Sequence, residues 1–139
     1  MGIDAFNTLQ LDKHNAFRAH HNTDSLEWDA HLTDLAYAYA CRLSTEFLDR
    51  NGARLVHDTD YLYEHGMGEN LGWVWGPTEE NLVSGETNVT DAWYAEIVDY
   101  DFNTESSTGG AVGHFTQMVW KATSKIGCGW AGKPGYETN

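Results

Sequence analysis

The feature that most constrains this chain is an apolar stripe in its first third. Leu32, Leu35, Ala36, Tyr39, Leu43 and Phe47 recur at the spacing of one helix face. Asp29 stands where an N-cap belongs, and Asn51-Gly52 offers the stop. A helix of this kind must lay its stripe against another layer. Three more helical stretches are expected. One runs from about Thr8 to His21, with Leu11, His14, Phe17, Arg18 and His21 in phase. Another begins near Thr87 to Thr90 and carries Val89, Trp93, Ile97 and Tyr100. A short one spans about His114 to Lys121, with Phe115, Met118 and Val119 on a face. Two segments read as strands. Leu71-Gly72-Trp73-Val74-Trp75 is apolar and ends at Gly76-Pro77, and Lys125 to Ala131 ends at a Gly132 to Gly135 turn. Helices outnumbering strands predict a layered α+β domain.

At 139 residues, one domain is expected, 1–139, with no repeat, linker or low-complexity tract. Lys and Arg number 8 against 21 Asp and Glu, a net charge of -13. Such a field repels phosphate backbones and anionic headgroups, so nucleic acid is not an expected partner, whereas a cation is favoured. No apolar run reaches the roughly 18 residues of a membrane span. The opening Met1-Gly2-Ile3-Asp4-Ala5-Phe6 lacks a signal peptide's basic start and apolar stretch, and Phe6 stands where a myristoylation motif wants Ser or Thr. The chain is expected to be a mature domain without its targeting segment. Its two cysteines, Cys41 and Cys128, allow one disulfide or none. Asn88-Val89-Thr90 is a glycosylation sequon.

Generic catalytic signatures are absent. There is no Gly-rich phosphate loop, no Gly-x-Ser-x-Gly elbow and no His-Glu-x-x-His helix. Asp99, Asp101 and Asn103 imitate a calcium loop, but Thr104 and Gly110 occupy its glycine and glutamate positions. Of the seven histidines, His20, His21, His31 and His65 read as surface or hydrogen-bonded core residues.

Four segments, in order, carry a more specific signal: His14-Asn15-Ala16-Phe17-Arg18-Ala19-His20, Gly68-Glu69-Asn70-Leu71, Trp93-Tyr94-Ala95-Glu96, and Gly113-His114-Phe115-Thr116-Gln117-Met118-Val119-Trp120-Lys121 leading to Ile126-Gly127-Cys128-Gly129. Together they resemble the CAP superfamily, which joins cysteine-rich secretory proteins, antigen 5 allergens and plant pathogenesis-related group 1 proteins. The resemblance implies a three-layer α-β-α sandwich around a small antiparallel sheet. It also implies a cleft of two histidines and two glutamates, here His57, Glu69, Glu96 and His114, with His65 as the fallback for His57. Two imidazoles, His57 and His114, would hold Zn²⁺ or another divalent cation weakly, with positions left open. Each glutamate would orient a histidine or act as a base on water. Gln117, one turn after His114, would line the same cleft. Trp73, Trp75, Trp93 and Trp120 are expected in the core.

The family pattern has one further strand after Ile-Gly-Cys-Gly, and here that strand is missing. The sheet is therefore expected to be shortened at its C-terminal end, as a fragment, as a naturally short domain, or with a partner supplying the edge. Because the family's cysteine at Cys128 often pairs within that segment, Cys128 is expected to be free and Cys41 to be a buried small hydrophobe, a bridge between the two remaining open. The functional expectation is a secreted binding module in defence, venom or signalling contexts, taking lipid, sterol or protein partners. The alternative is a metal-assisted hydrolase with Glu69 or Glu96 as base. A third reading is a structural domain that presents loops.

Overall fold

A helix begins at Ala5 because Asp4 is extended and its carboxylate accepts the Asn7 N–H at 2.7 Å. The same device starts the next helix at Ala30, where Asp29 accepts the Leu32 N–H at 2.8 Å. In this computed structural model, residues 2–49, 52–74, 79–85 and 89–132 are described. Their elements in chain order are α1 (Ala5–Ala19), β1 (Glu27–Trp28), α2 (Ala30–Glu46), β2 (Leu48–Asp49), β3 (Gly52–Ala53), α3 (Thr59–His65), α4 (Glu79–Ser84) and α5 (Val89–Ala95). A 3-10 turn (Glu96–Asp99) follows, then β4 (Tyr100–Asp101), β5 (Ser106–Ser107), α6 (Gly113–Met118) and β6 (Lys125–Ile126).

The α+β class is as expected. Among the described residues the strands form three two-stranded ladders. β1 pairs with β6 in parallel, while β2–β3 and β4–β5 are antiparallel hairpins. Two strand expectations change. Leu71–Val74 forms no ladder among the described residues, and Trp75 lies outside them. There the Leu71 carbonyl is taken by the Trp93 indole N–H at 3.2 Å, a side-chain contact where a ladder would use backbone. The Lys125 to Ala131 strand is cut to two residues, after which Asn7 takes both the N–H and the carbonyl of Cys128, at 2.8 and 3.0 Å. The expected stop at Asn51-Gly52 is also earlier. α2 ends at Glu46, and the β2–β3 hairpin uses Gly52, with Asn51 outside the described residues. α3 and α4 carry too short a pattern to have been expected; Gly66, at φ 63, closes α3 in a left-handed conformation.

The segment after β6 lies between helices. Asn7 of α1 grips it from one side. On the other side its glycines press on α2, where a Cβ on Gly127 would stand 2.1 Å from the Thr33 nitrogen. Asn15 repeats the amide clamp on Leu26, accepting its N–H at 2.7 Å and donating to its carbonyl at 3.1 Å. Arg18, 1% exposed, donates to the carbonyls of Asp24, Met118, Trp120 and Thr123 at 2.7 to 3.0 Å. α1 is thus the spine that binds both halves of the chain.

The apolar core is small. Among the described residues only Leu26, Phe115 and Met118 are buried hydrophobics. Around Phe115 gather the rings of His21, Tyr94, Tyr100 and Phe102. The stripe of α2, by contrast, is nowhere buried. It lines an open cavity of about 1990 Å³ that also touches residues 66–74 and 122–132.

Candidate functional site

The 3-10 turn after α5 delivers Glu96 to the start of α6. Its Oε1 accepts the backbone N–H groups of His114 and Phe115 at 2.9 and 3.1 Å. These are donors that a helix start leaves without partners. Its Oε2 accepts the His114 Nδ1–H at 2.7 Å. One carboxylate therefore starts the helix and orients the imidazole on it. The Trp93 ring stacks on His114, with centroids 5.6 Å apart and planes 17° from parallel.

A second pair lies on irregular chain. The His57 Nδ1–H donates to Glu69 Oε1 at 2.7 Å. His57 is half exposed, whereas Glu69 is only 16% exposed. The Tyr39 hydroxyl donates to the Val56 carbonyl and so holds the residue beside His57. Burial raises the Tyr39 phenol above its usual value, and the carboxylates of Glu69 and Asp58 add to the effect.

Asn70 joins the two pairs. It follows Glu69 directly, and its side-chain N–H donates to the His114 carbonyl at 3.1 Å. Trp93 adds a second tie, stacking on His114 while donating to the Leu71 carbonyl. The four sequence-derived residues thus form two His–Glu pairs on adjoining segments. In each, Nδ1 is committed to a carboxylate, and Nε2 has no hydrogen-bond partner among the described residues. Gln117 packs beside Gly68, where a Cβ would lie 2.1 Å from its Oε1, and its Nε2 donates to the Thr123 hydroxyl at 3.4 Å. His65 stays apart, bonded to the Tyr61 carbonyl at 2.8 Å and stacked on the Tyr61 ring.

Among the described residues no group of three or more His, Cys, Asp or Glu is placed to hold a metal ion. The donor set fits a cation only through two imidazole Nε2 atoms, which suits a weak, open site. Three further expectations need correction. Trp73 and Trp120, at 38% and 55% exposure, lie at the surface and not in the core. Cys41 is half-buried, not buried, on the wall of a smaller cavity. Both cysteines are free and line one smaller cavity of about 630 Å³. Burial pushes the Cys128 thiol up to about 12, and Asp4 adds to this, so it is a poor nucleophile. Trp75 and Asn88 of the sequon lie outside the described residues.

Asn70 and Trp93 are the contributors that motif reading passed over as site residues. Their signal was present: each stands in a motif that carries a glutamate of the site.

The sequence profile described as CAP, cysteine-rich secretory protein family, matches residues 11–138. Protein PRY2 of Saccharomyces cerevisiae is 39% identical over 127 residues, covering 89% of this chain and 32% of its own. The pathogenesis-related protein PR-1 type of Sambucus nigra is 37% identical over 119 residues, covering 85% of this chain and 62% of its own. The Golgi-associated plant pathogenesis-related protein 1 of Homo sapiens is 32% identical over 126 residues, covering 91% and 73%. The chain thus spans about a third of the yeast relative and under two thirds of the Sambucus one.

Proposed function

Because the chain belongs to the CAP family of cysteine-rich secretory proteins, we propose that it is an extracellular binding module whose His57–Glu69 and His114–Glu96 pairs form a recognition cleft for a weakly held divalent cation. The carrying observation is the shared geometry of the pairs. Each carboxylate takes an Nδ1–H at 2.7 Å, which sets the tautomer that presents a basic Nε2. His57 and His114 are the ligands in this reading, Zn²⁺ is the natural ion for two neutral imidazoles, and the net charge of -13 favours any cation. When bound, the ion would add positive charge and open coordination positions to the cleft. Partners are lipids, sterols or proteins, for which the open cavity beside the cleft offers an apolar wall. No helix among the described residues is long and apolar enough to cross a membrane.

The hydrolase alternative gains less from the geometry. Glu96 already accepts three N–H groups, which lowers its availability as a base. Burial holds the Cys128 thiol at about 12, which makes it a poor nucleophile.

Calorimetric titration of Zn²⁺ tests the cleft. The parent chain should give weak saturable heat, His57→Ala and His114→Ala should each lose most of it, and His65→Ala should match the parent. Equal heats in all four proteins would remove the assigned site.

A further inference from the structure

The two imidazoles of the cleft are fixed to different degrees. His114 sits on α6, with its carbonyl bonded by Asn70 and its Nδ1–H by Glu96. One hydrogen bond sets the direction of an N–H but leaves the ring free to turn about that bond. The Trp93 indole removes this freedom, lying over the imidazole at 5.6 Å and 17° from parallel. Trp93 and Glu96 stand three residues apart, where α5 runs into the 3-10 turn. Neighbouring positions of one helical run therefore hold the face and the edge of the same ring.

His57 has a lighter mount. It is half exposed and bonded to Glu69, and its neighbour Val56 is held by the Tyr39 hydroxyl. Its imidazole therefore goes where the backbone carries Glu69. The next two residues tie that backbone to the other pair. Asn70 donates to the His114 carbonyl at 3.1 Å, and the Leu71 carbonyl accepts the Trp93 indole N–H at 3.2 Å. Asn70 reaches the backbone of His114, whereas Trp93 reaches its ring. One indole thus touches the imidazole of one pair with its face and the segment carrying the other pair with its edge.

We propose that Trp93 is the positioning residue of the cleft: its face fixes the plane of His114, its N–H fixes the segment that carries Glu69, and together they set the placement of the two imidazoles. This rests on the cation-cleft reading and goes beyond it, because the alignment of the pairs then depends on a residue that is no ligand.

The test uses the 139-residue chain and Trp93→Phe, which keeps a ring over His114 and deletes the indole N–H. The first measurement is made without metal. Nitrogen-15 NMR at roughly pH 8.5, where imidazoles are neutral, reads which ring nitrogen of each histidine carries the proton. The ratio of the Nδ1–H to the Nε2–H form should fall about three- to tenfold at His57, which Trp93 does not touch, and stay within about twofold at His114. Coupling is reciprocal. His57→Ala, a change at a half-exposed residue, should therefore speed hydrogen exchange of the Trp93 indole N–H about threefold or more. This second measurement leaves Trp93 intact and stands even where Trp93→Phe fails to fold. Zn²⁺ calorimetry of the folded variant should show affinity reduced about three- to tenfold.

An unmoved His57 ratio would overturn the proposal. Equal changes at both histidines would do so as well, since a residue that only stabilises the fold moves them together. Unchanged indole exchange in His57→Ala is a third contrary result. If the parent gives no Zn²⁺ heat, the cation reading fails and the two metal-free measurements still judge Trp93. If the parent and Trp93→Phe bind Zn²⁺ equally, the cation reading stands and the role of Trp93 falls.

Discussion

His14 shows what burial does to a single side chain. It is 5% exposed, within α1, with Nδ1 bonded to the Gln10 carbonyl at 2.8 Å. Burial holds it below the usual histidine value, with the Arg18 charge adding to that and the Gln10 bond opposing it. His21 is lowered as well, by burial and then by His20. The folded chain therefore resists protonation at two sites where the unfolded chain does not. Their contribution to stability is complete above about pH 6.5 and declines as pH falls below it. Asp29 and Asp101, lowered mainly by backbone N–H bonds, act only below about pH 4. Urea unfolding between pH 7 and pH 5 should show declining stability, and His14→Gln should flatten the decline. Parallel profiles for the two proteins would contradict this role. The sequence placed His14 on a helix face and in a motif, whereas the bond of its neighbour Gln10 to the Thr90 hydroxyl, across α1 and α5, is a tertiary contact.

Among the elements, α6 is the one most dependent on a distant residue. It has six residues and no capping side chain of its own. Glu96 supplies the cap from the preceding 3-10 turn. Glu96→Ala should therefore cost about 2–4 kcal/mol by leaving N–H donors without their charged acceptor. Glu69→Ala should cost under ~1 kcal/mol, since its partner His57 is half exposed and the pair is surface-like. Denaturant melts of the two variants check the contrast, and equal losses would mean that Glu96 is not the cap. α1 starts at Ala5, ahead of the expected Thr8, because Asp4 caps it; α2 was legible because its cap is local, Asp29 lying three residues before the N–H it binds. The Leu71–Trp75 strand was not, because an apolar run describes what wants to be buried and says nothing about which backbone lies alongside.

Across the whole molecule, charge works against compactness. The net charge is -13, and the ion pairs among the described residues, such as Lys13–Asp91 and Arg42–Glu46, sit at the surface. Surface pairs of this sort contribute little each. Raising ionic strength from about 0.01 to 0.15 M shortens the Debye length from ~30 to ~8 Å and relieves the mutual repulsion. The melting temperature should rise by a few degrees, roughly 2–5 °C for a chain of this size. An unchanged or lower midpoint in a thermal scan would place the charges too far apart, or too well paired, to matter.

The sequence itself carried the capped α2, the α+β class and the motifs that resemble the CAP family, and that resemblance implied Glu69, Glu96, His57 and His114. Those properties reside in residues a few positions apart or in motifs short enough to read directly. Only the tertiary structure decided the rest. It set which glutamate holds which histidine, that Asn70 and Trp93 join the pairs, and that the α2 stripe faces an open cavity. The contacts that tie the site together join residues from 12 to 44 positions apart. A sequence states what each side chain can bond to, but only the folded path of the backbone states what comes within reach.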